Sequence, residues 1–143
     1  MGFFDKILGS QKSEYPPLDP GSPAAKDVQH VMGELASIAK EVRDPLEVVP
    51  GGEETFVFIG NPPKQFGIFW IKDGQVENFR KLANEKQITA EKFQVVSEEL
   101  REAYKQNVPA EKFSMTIADR KITVLPSDSL NTMVGRIVEK LQA

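Results

Sequence analysis

Residues 56–79 read FVFIGNPPKQFGIFWIKDGQVENF. These 24 positions hold five of the nine phenylalanines in the chain and its only tryptophan. ETFVFIG (54–60) predicts a strand, NPPK a turn, and QFGIFWI (65–71) a second strand. KDGQ forms a hairpin turn on Asp73-Gly74, and VENFRKL (76–82) predicts a third strand. Side chains alternate across a strand. Phe66, Ile68 and Trp70 therefore share one face of the second strand, and Gly67, Phe69 and Ile71 the other. Phe56 and Phe58 likewise oppose Val57 and Ile59. Both strands are apolar on both faces, so either helices of the same chain cover both, or one face is kept for a partner. On the second reading, Phe56, Phe58, Phe66, Phe69 and Trp70 are candidate protein-binding residues.

The flanking sequence supplies the helices. SPAAKDVQHVMGELASIAKEVRDP (22–45) has Ser22 as a cap, Pro23 at the first helical position, and apolar residues from Val28 to Val42 at spacings of three and four. Asp44-Pro45 stops it, because a residue before proline avoids the α region. ITAEKFQVVSEELREAYKQN (88–107) predicts a second helix, with Thr89 as cap and Ile88 and Phe93 as a hydrophobic staple. KFSMTIADRKITVL (112–125) predicts a hairpin turning at Asp119-Arg120. PSDSLNTMVGRIVEKLQ (126–142) predicts a third helix, capped by Ser127 or Asp128. The order α-β-β-β-α-β-β-α implies an α+β fold, an antiparallel five-stranded sheet with three helices. The last hairpin is patterned on one side only: Met115, Ile117, Ile122 and Val124 alternate with polar residues. A sheet covered throughout by helices would be apolar on both sides of those strands too. This favours an incomplete second layer, finished by a partner.

Ahead of the domain, Phe3, Phe4, Ile7 and Leu8 lie on one side of a short amphipathic turn, an arm suited to docking. SQKSEYPPLDPGSP follows, with Pro16, Pro17, Pro20 and Pro23, an extended and semi-stiff linker. The expected division is an arm and linker over residues 1–21 and a single α+β domain over 22–143.

Composition narrows the partners. Eighteen Lys and Arg stand against 21 Asp and Glu, a formal net charge of −3. Nucleic-acid binding calls for a clustered basic face, so no nucleic acid is expected as partner. The same balance offers little attraction to anionic lipid, so membrane contact is expected only through the arm. Cysteine is absent, which excludes thiol chemistry and disulfides and suits a cytoplasmic location. No stretch reaches the 18 apolar residues that a spanning helix needs. The first ten residues carry Asp5 and Lys6 inside a short apolar run, unlike a signal peptide, and Lys6 stands where myristoylation wants Ser or Thr.

Residue types that carry chemistry are dispersed. His30 is the only histidine, with Glu34 one helical turn away, and reads as a helix-surface residue. Glu98, Glu99 and Glu102 are interleaved with Arg101 and Lys105, as on a solvated helix face. Gly51-Gly52 leads into a strand, whereas a phosphate loop leads from a strand into a helix. No serine stands in a nucleophile-elbow context. Lys64, Lys72, Arg80, Lys81 and Lys86 lie near the aromatic strands but are diluted by Asp73, Glu77 and Glu85. No catalytic, cofactor-binding or metal-binding residue is assigned, and no cofactor is expected.

From Ser22 to Ala143 the element order resembles the type III secretion chaperone fold and the related YbjN-type domains, with FGIFWIKDGQV in the place of their central hairpin. That resemblance implies a homodimer that binds extended client segments through apolar patches. The expected function is a non-enzymatic protein-binding module of chaperone or adaptor character. Its partner is a protein client or a second copy. The alternative is a peripheral scaffold whose arm docks on a membrane or a larger complex.

Overall fold

Caps and turns divide the chain much as the sequence suggests. The computed structural model describes residues 15–107 and 111–142. The arm residues Phe3, Phe4, Ile7 and Leu8 lie outside them. Ser22 Oγ accepts from Ala25 N at 3.2 Å and opens α1 (Pro23–His30). A second helix, α2 (Met32–Glu41), follows directly, so the single long helix expected here is two. At the junction, Val31 N donates to Val28 O, three residues back, which tightens the turn there.

The next element is a strand that the sequence reading passes over. β1 (Leu46–Val49) has four residues, all buried, and lies in the interior of the sheet. Its Glu47 interrupts the apolar run, and its length is at the lower limit for a strand. The Pro50-Gly51-Gly52 turn is as expected. Gly51 is needed there because an added Cβ would lie 2.4 Å from Glu54 O. β2 (Glu54–Asn61) and β3 (Gln65–Lys72) form the aromatic hairpin, with Phe56 opposite Trp70 and Phe58 opposite Ile68.

β4 (Gln75–Asn78) is shorter than expected, and Phe79–Glu85 is a helix, α3, rather than the end of a strand. Asn78 Oδ1 accepts from Lys81 N at 2.8 Å and caps it. Phe79, Leu82 and Ala83 recur at three and four, the helical period, and all three are buried. α4 (Ala90–Gln106) is capped by Thr89, whose Oγ1 accepts from Lys92 N at 3.1 Å. β5 (Phe113–Ile117) and β6 (Arg120–Val124) turn at Ala118-Asp119, one residue before the expected place. Both turn residues have positive φ, 52° and 64°, as a two-residue hairpin of this hand requires. Ser127 Oγ accepts from Leu130 N at 3.1 Å and caps the final helix, α5 (Asp128–Gln142).

The described residues therefore form an α+β fold with five helices and one six-stranded sheet, ordered β4-β3-β2-β1-β6-β5. The sheet is mixed rather than antiparallel throughout. β1 and β6 run parallel, with Glu47 beside Thr123, and Leu125 N extends the pairing by donating to Val48 O at 2.7 Å.

Helices lie on both faces. Phe56, Phe58, Ile68 and Trp70 pack under α3, α4 and α5, with Leu82, Leu100, Leu130 and Val134 among their neighbours. Val48, Val57, Ile59 and Ile71 pack under α1 and α2, against Val28, Leu35 and Ile38. Ile117, Ile122 and Val124 belong to this second core. The other side of that hairpin carries Thr116 and Lys121, both exposed. So one helical layer does stop short, as the patterning implied, but it stops over polar strands and not over the aromatic ones.

The chain reaches back beyond Ser22 to meet the sheet. Pro17 forms a parallel bridge with Ser114 on the outer edge of β5. Leu18 N donates to Ser114 O and Ser114 N to Pro16 O, each at 2.9 Å.

Candidate functional site

The five candidate aromatics have different surroundings. Phe56 and Phe58 are 0 % exposed and Trp70 is 2 % exposed, so all three are spent on the chain's own core. Phe66 and Phe69 are half-buried. Phe66 leans on Phe58 with ring centroids 5.4 Å apart, and Phe69 packs at the edge of the opposite core.

The opening beside Phe66 has a local cause. Asn78 ends β4 by capping α3, so β4 covers only Phe69–Lys72 of β3. Gln65–Ile68, the first half of β3, has no strand on that side among the described residues. The register shows which backbone groups are left. Gly60 N donates to Pro45 O, toward β1. Phe66 is the residue opposite Gly60, so its own N–H and C=O point away from β2, to the uncovered side. Gly67 beside it is exposed, and a Cβ added there would meet no atom within 4 Å.

A cleft of about 380 Å³ runs along this half-strand. Phe66, Ile68, Phe79, Phe93 and Leu100 give it apolar walls, and Arg80 and Arg101 stand among its lining residues. Phe79 and Phe93 stack face to face, centroids 4.4 Å apart and planes 5° from parallel. Arg101 is held in place. It donates to the carbonyls of Pro63 and Lys64, pairs with Glu98, and lies 5.7 Å from the Phe66 ring centroid. Arg80 is exposed and forms no ion pair among the described residues. Phe79, Arg80, Phe93 and Arg101 were not among the expected site residues. The helical spacing of Phe79, Leu82 and Ala83 after Asn78 is the signal that would have placed Phe79 at the wall of a cleft.

A second polar constellation lies deeper. Glu47, 7 % exposed, accepts from Tyr104 Oη at 2.6 Å and pairs with Lys112 Nζ at 2.9 Å. Lys112 Nζ also donates to Tyr104 Oη at 2.8 Å. Burial, and then the bond to Glu47, push the Tyr104 phenol up to about 12. Burial works against the Lys112 ammonium, but its bonds to Tyr104 and Glu47 prevail and raise its pKa. The three groups neutralise one another and hold phenol and ammonium in their protonated forms. The network ties the last turn of α4 to β1 and to the entry of β5.

His30 is exposed on α1. Among the described residues no group of three or more His, Asp or Glu side chains is placed to hold a metal ion. Among them, too, no helix is long and apolar enough to cross a membrane. No family model, no curated protein and no solved structure matches the chain.

Proposed function

We propose that the protein is a non-enzymatic protein-binding module of chaperone or adaptor character, and that it takes an extended peptide segment along the first half of β3. The observation that carries this reading is the unpaired backbone at Phe66 beside an aromatic cleft. An extended chain is the ligand that can complete a strand edge, since it alone presents donors and acceptors at strand spacing. Main-chain bonds of this kind read little sequence, which suits a chaperone or adaptor. One apolar side chain of the segment enters between Phe66 and the Phe79–Phe93 stack. Arg80 and Arg101 at the margin favour a carboxylate nearby on the segment. The protein-binding role thus rests on Phe66 and on residues outside the expected set, and not on Phe56, Phe58 or Trp70.

A displayed library of random 12-residue peptides tests this. Selected peptides are expected to pair an apolar residue with an acidic one, and to lose binding to the Phe93→Ala and Arg80→Glu proteins. N-methylation of alternate peptide amides is expected to abolish binding in one phase and spare it in the other. Peptides that bind both variants as well as they bind the original, or that tolerate N-methylation in either phase, overturn the proposal.

A further inference from the structure

At the other end of β3 from the cleft, three connections meet over one corner of the sheet. The α1–α2 junction brings His30 and Glu34, the loop before β2 brings Glu53, and the β3–β4 turn brings Lys72 and Asp73. With Thr55 they line a cavity of about 400 Å³. His30 and Glu34, one helical turn apart, stand together on its wall.

Thr55 is the unusual member. It is 1 % exposed, and its Oγ1 has no hydrogen-bond partner among the described residues. Val57 and Ile59 of the same strand pack under α1 and α2. Side chains alternate, so Thr55 is directed to that side of the sheet as well. Ile71, its cross-strand partner, packs there too and also lines the cavity. A buried polar atom left single is rare in a folded chain and calls for a partner.

The charges around it are also unspent. Glu34 is half-buried, and its Oε2 lies 3.9 Å from the place a Cβ would take on Gly74, so the carboxylate leans over the β3–β4 turn. Glu34, Glu53, Asp73 and Lys72 form no ion pair among the described residues, although Glu47, Glu77, Glu98, Glu99 and Glu102 all do. Three carboxylates face one lysine, and even a protonated His30 would leave an excess of negative charge. Among the described residues no group of three or more His, Asp or Glu is placed to hold a metal ion.

We infer that this corner binds a small organic amine in its ammonium form. An ammonium group offers several N–H donors, which carboxylates at unequal distances can share and a hydroxyl oxygen can accept. Glu34 and Asp73 receive it from the helix and the turn, Glu53 from the loop, and Thr55 Oγ1 from the sheet. Lys72 opposes it and tempers the affinity. The free protein carries the unpartnered hydroxyl as a loss of stability, and the ligand supplies the missing bond.

Amide shifts of the full chain, followed by NMR during titration with ethanolamine, putrescine and spermidine, test this. At least one amine is expected to saturate with a Kd of about 0.01–1 mM, a range suited to ligands of roughly ten heavy atoms or fewer. The amides of Gly51, Gly52, Thr55 and Gly74 are expected to move. Glu34→Gln is expected to weaken binding by about tenfold, and Lys72→Gln to tighten it by a few-fold. Thr55→Val is decisive, because it leaves charge and size unchanged. It is expected to melt higher than the original and to bind about tenfold more weakly. Undiminished binding by Thr55→Val overturns the inference, as do shifts gathered on the acidic face of α4 instead. Saturation of the same residues by acetate or magnesium ions does so too, as does failure of all the amines to saturate below about 5 mM. Peptide capture by the β3 cleft is expected to be unaffected by Thr55→Val, so the two proposals fail separately.

Discussion

The two halves of β3 differ in what surrounds them. Phe69–Lys72 is paired with β2 on one side and β4 on the other, while Gln65–Ile68 is paired, among the described residues, with β2 alone. Trp70 in the first is enclosed; Phe66 in the second is half-buried. Both halves carry aromatic side chains, Phe69 and Trp70 in the first and Phe66 in the second. What separates the two halves is how far the neighbouring strand runs, which Asn78 decides by starting a helix; Phe69, on the opposite face from Trp70, is half-buried although its strand is paired on both sides. An aromatic cluster says that much area is to be buried, and the length of the next strand says by whom.

The largest expected effect tests that contrast directly. Trp70→Ala should cost about 3–5 kcal/mol, because the ring is enclosed and its removal leaves a cavity. Phe66→Ala should cost about 1–2 kcal/mol, since part of the ring's area is already in water. Urea unfolding of both variants measures the gap, and equal losses would erase the distinction between the halves.

Next in size is the alkaline limb of stability, a property of the enclosed region. Tyr104 has its pKa raised from 10.0 to about 12 in the folded protein. A raised value means that the folded state holds a proton the unfolded state releases. The stabilisation is present in full below pH 10 and is lost as pH rises from there through about 12. Lys112 is shifted the same way and adds to the loss. Over that interval the network should give up about 2 kcal/mol. Tyr104→Phe removes the phenol's share, so its pH–stability curve should be flatter above pH 10. A curve of unchanged slope would show that the phenol is not linked to folding.

The smallest effect concerns a flaw inside the well-covered half. Thr55 stands opposite Ile71, is 1 % exposed, and its Oγ1 has no hydrogen-bond partner among the described residues. Replacing a buried hydroxyl of this kind by a methyl relieves its desolvation. Thr55→Val should raise stability by about 1 kcal/mol, read as a higher melting temperature. A lower one would mean that the hydroxyl has a partner in solution.

Much of this architecture was readable in the residues. The caps at Ser22, Thr89 and Ser127, the Asp73-Gly74 turn and the alternation of β2 and β3 are local signals, and each is found in place. What was not readable depended on contacts distant in sequence. β1 has only four residues and holds Glu47, whose partners Tyr104 and Lys112 are 57 and 65 positions later, so nothing local shows why a charge belongs in a central strand. The parallel pairing of β1 with β6 leaves no trace in either segment. The candidate site was half legible: Phe66 was singled out, but its setting depends on where β4 ends. VENFRKL carries two periods in succession, and reading it with the strand's period alone concealed the change at Asn78.

The parallel seam between β1 and β6 has a consequence for the order in which the protein can be completed. Strands β1 to β4 follow one another through short turns and pair with sequence neighbours, and β5 and β6 do the same. Within the sheet, the two groups meet where residues 47 and 48 pair with 123 and 124. Closing a loop of that length is slow compared with forming hairpins. During synthesis, β1 is an unprotected edge until Val124 has left the ribosome, although most of the chain already exists. The last helix follows immediately, and Asn131 then bonds the carbonyls of Val49 and Glu54, fastening the loop that leaves β1. The oldest strand of the sheet is thus among the last to be enclosed, and a nascent chain halted before Arg120 would expose an apolar edge from what becomes the middle of the finished sheet.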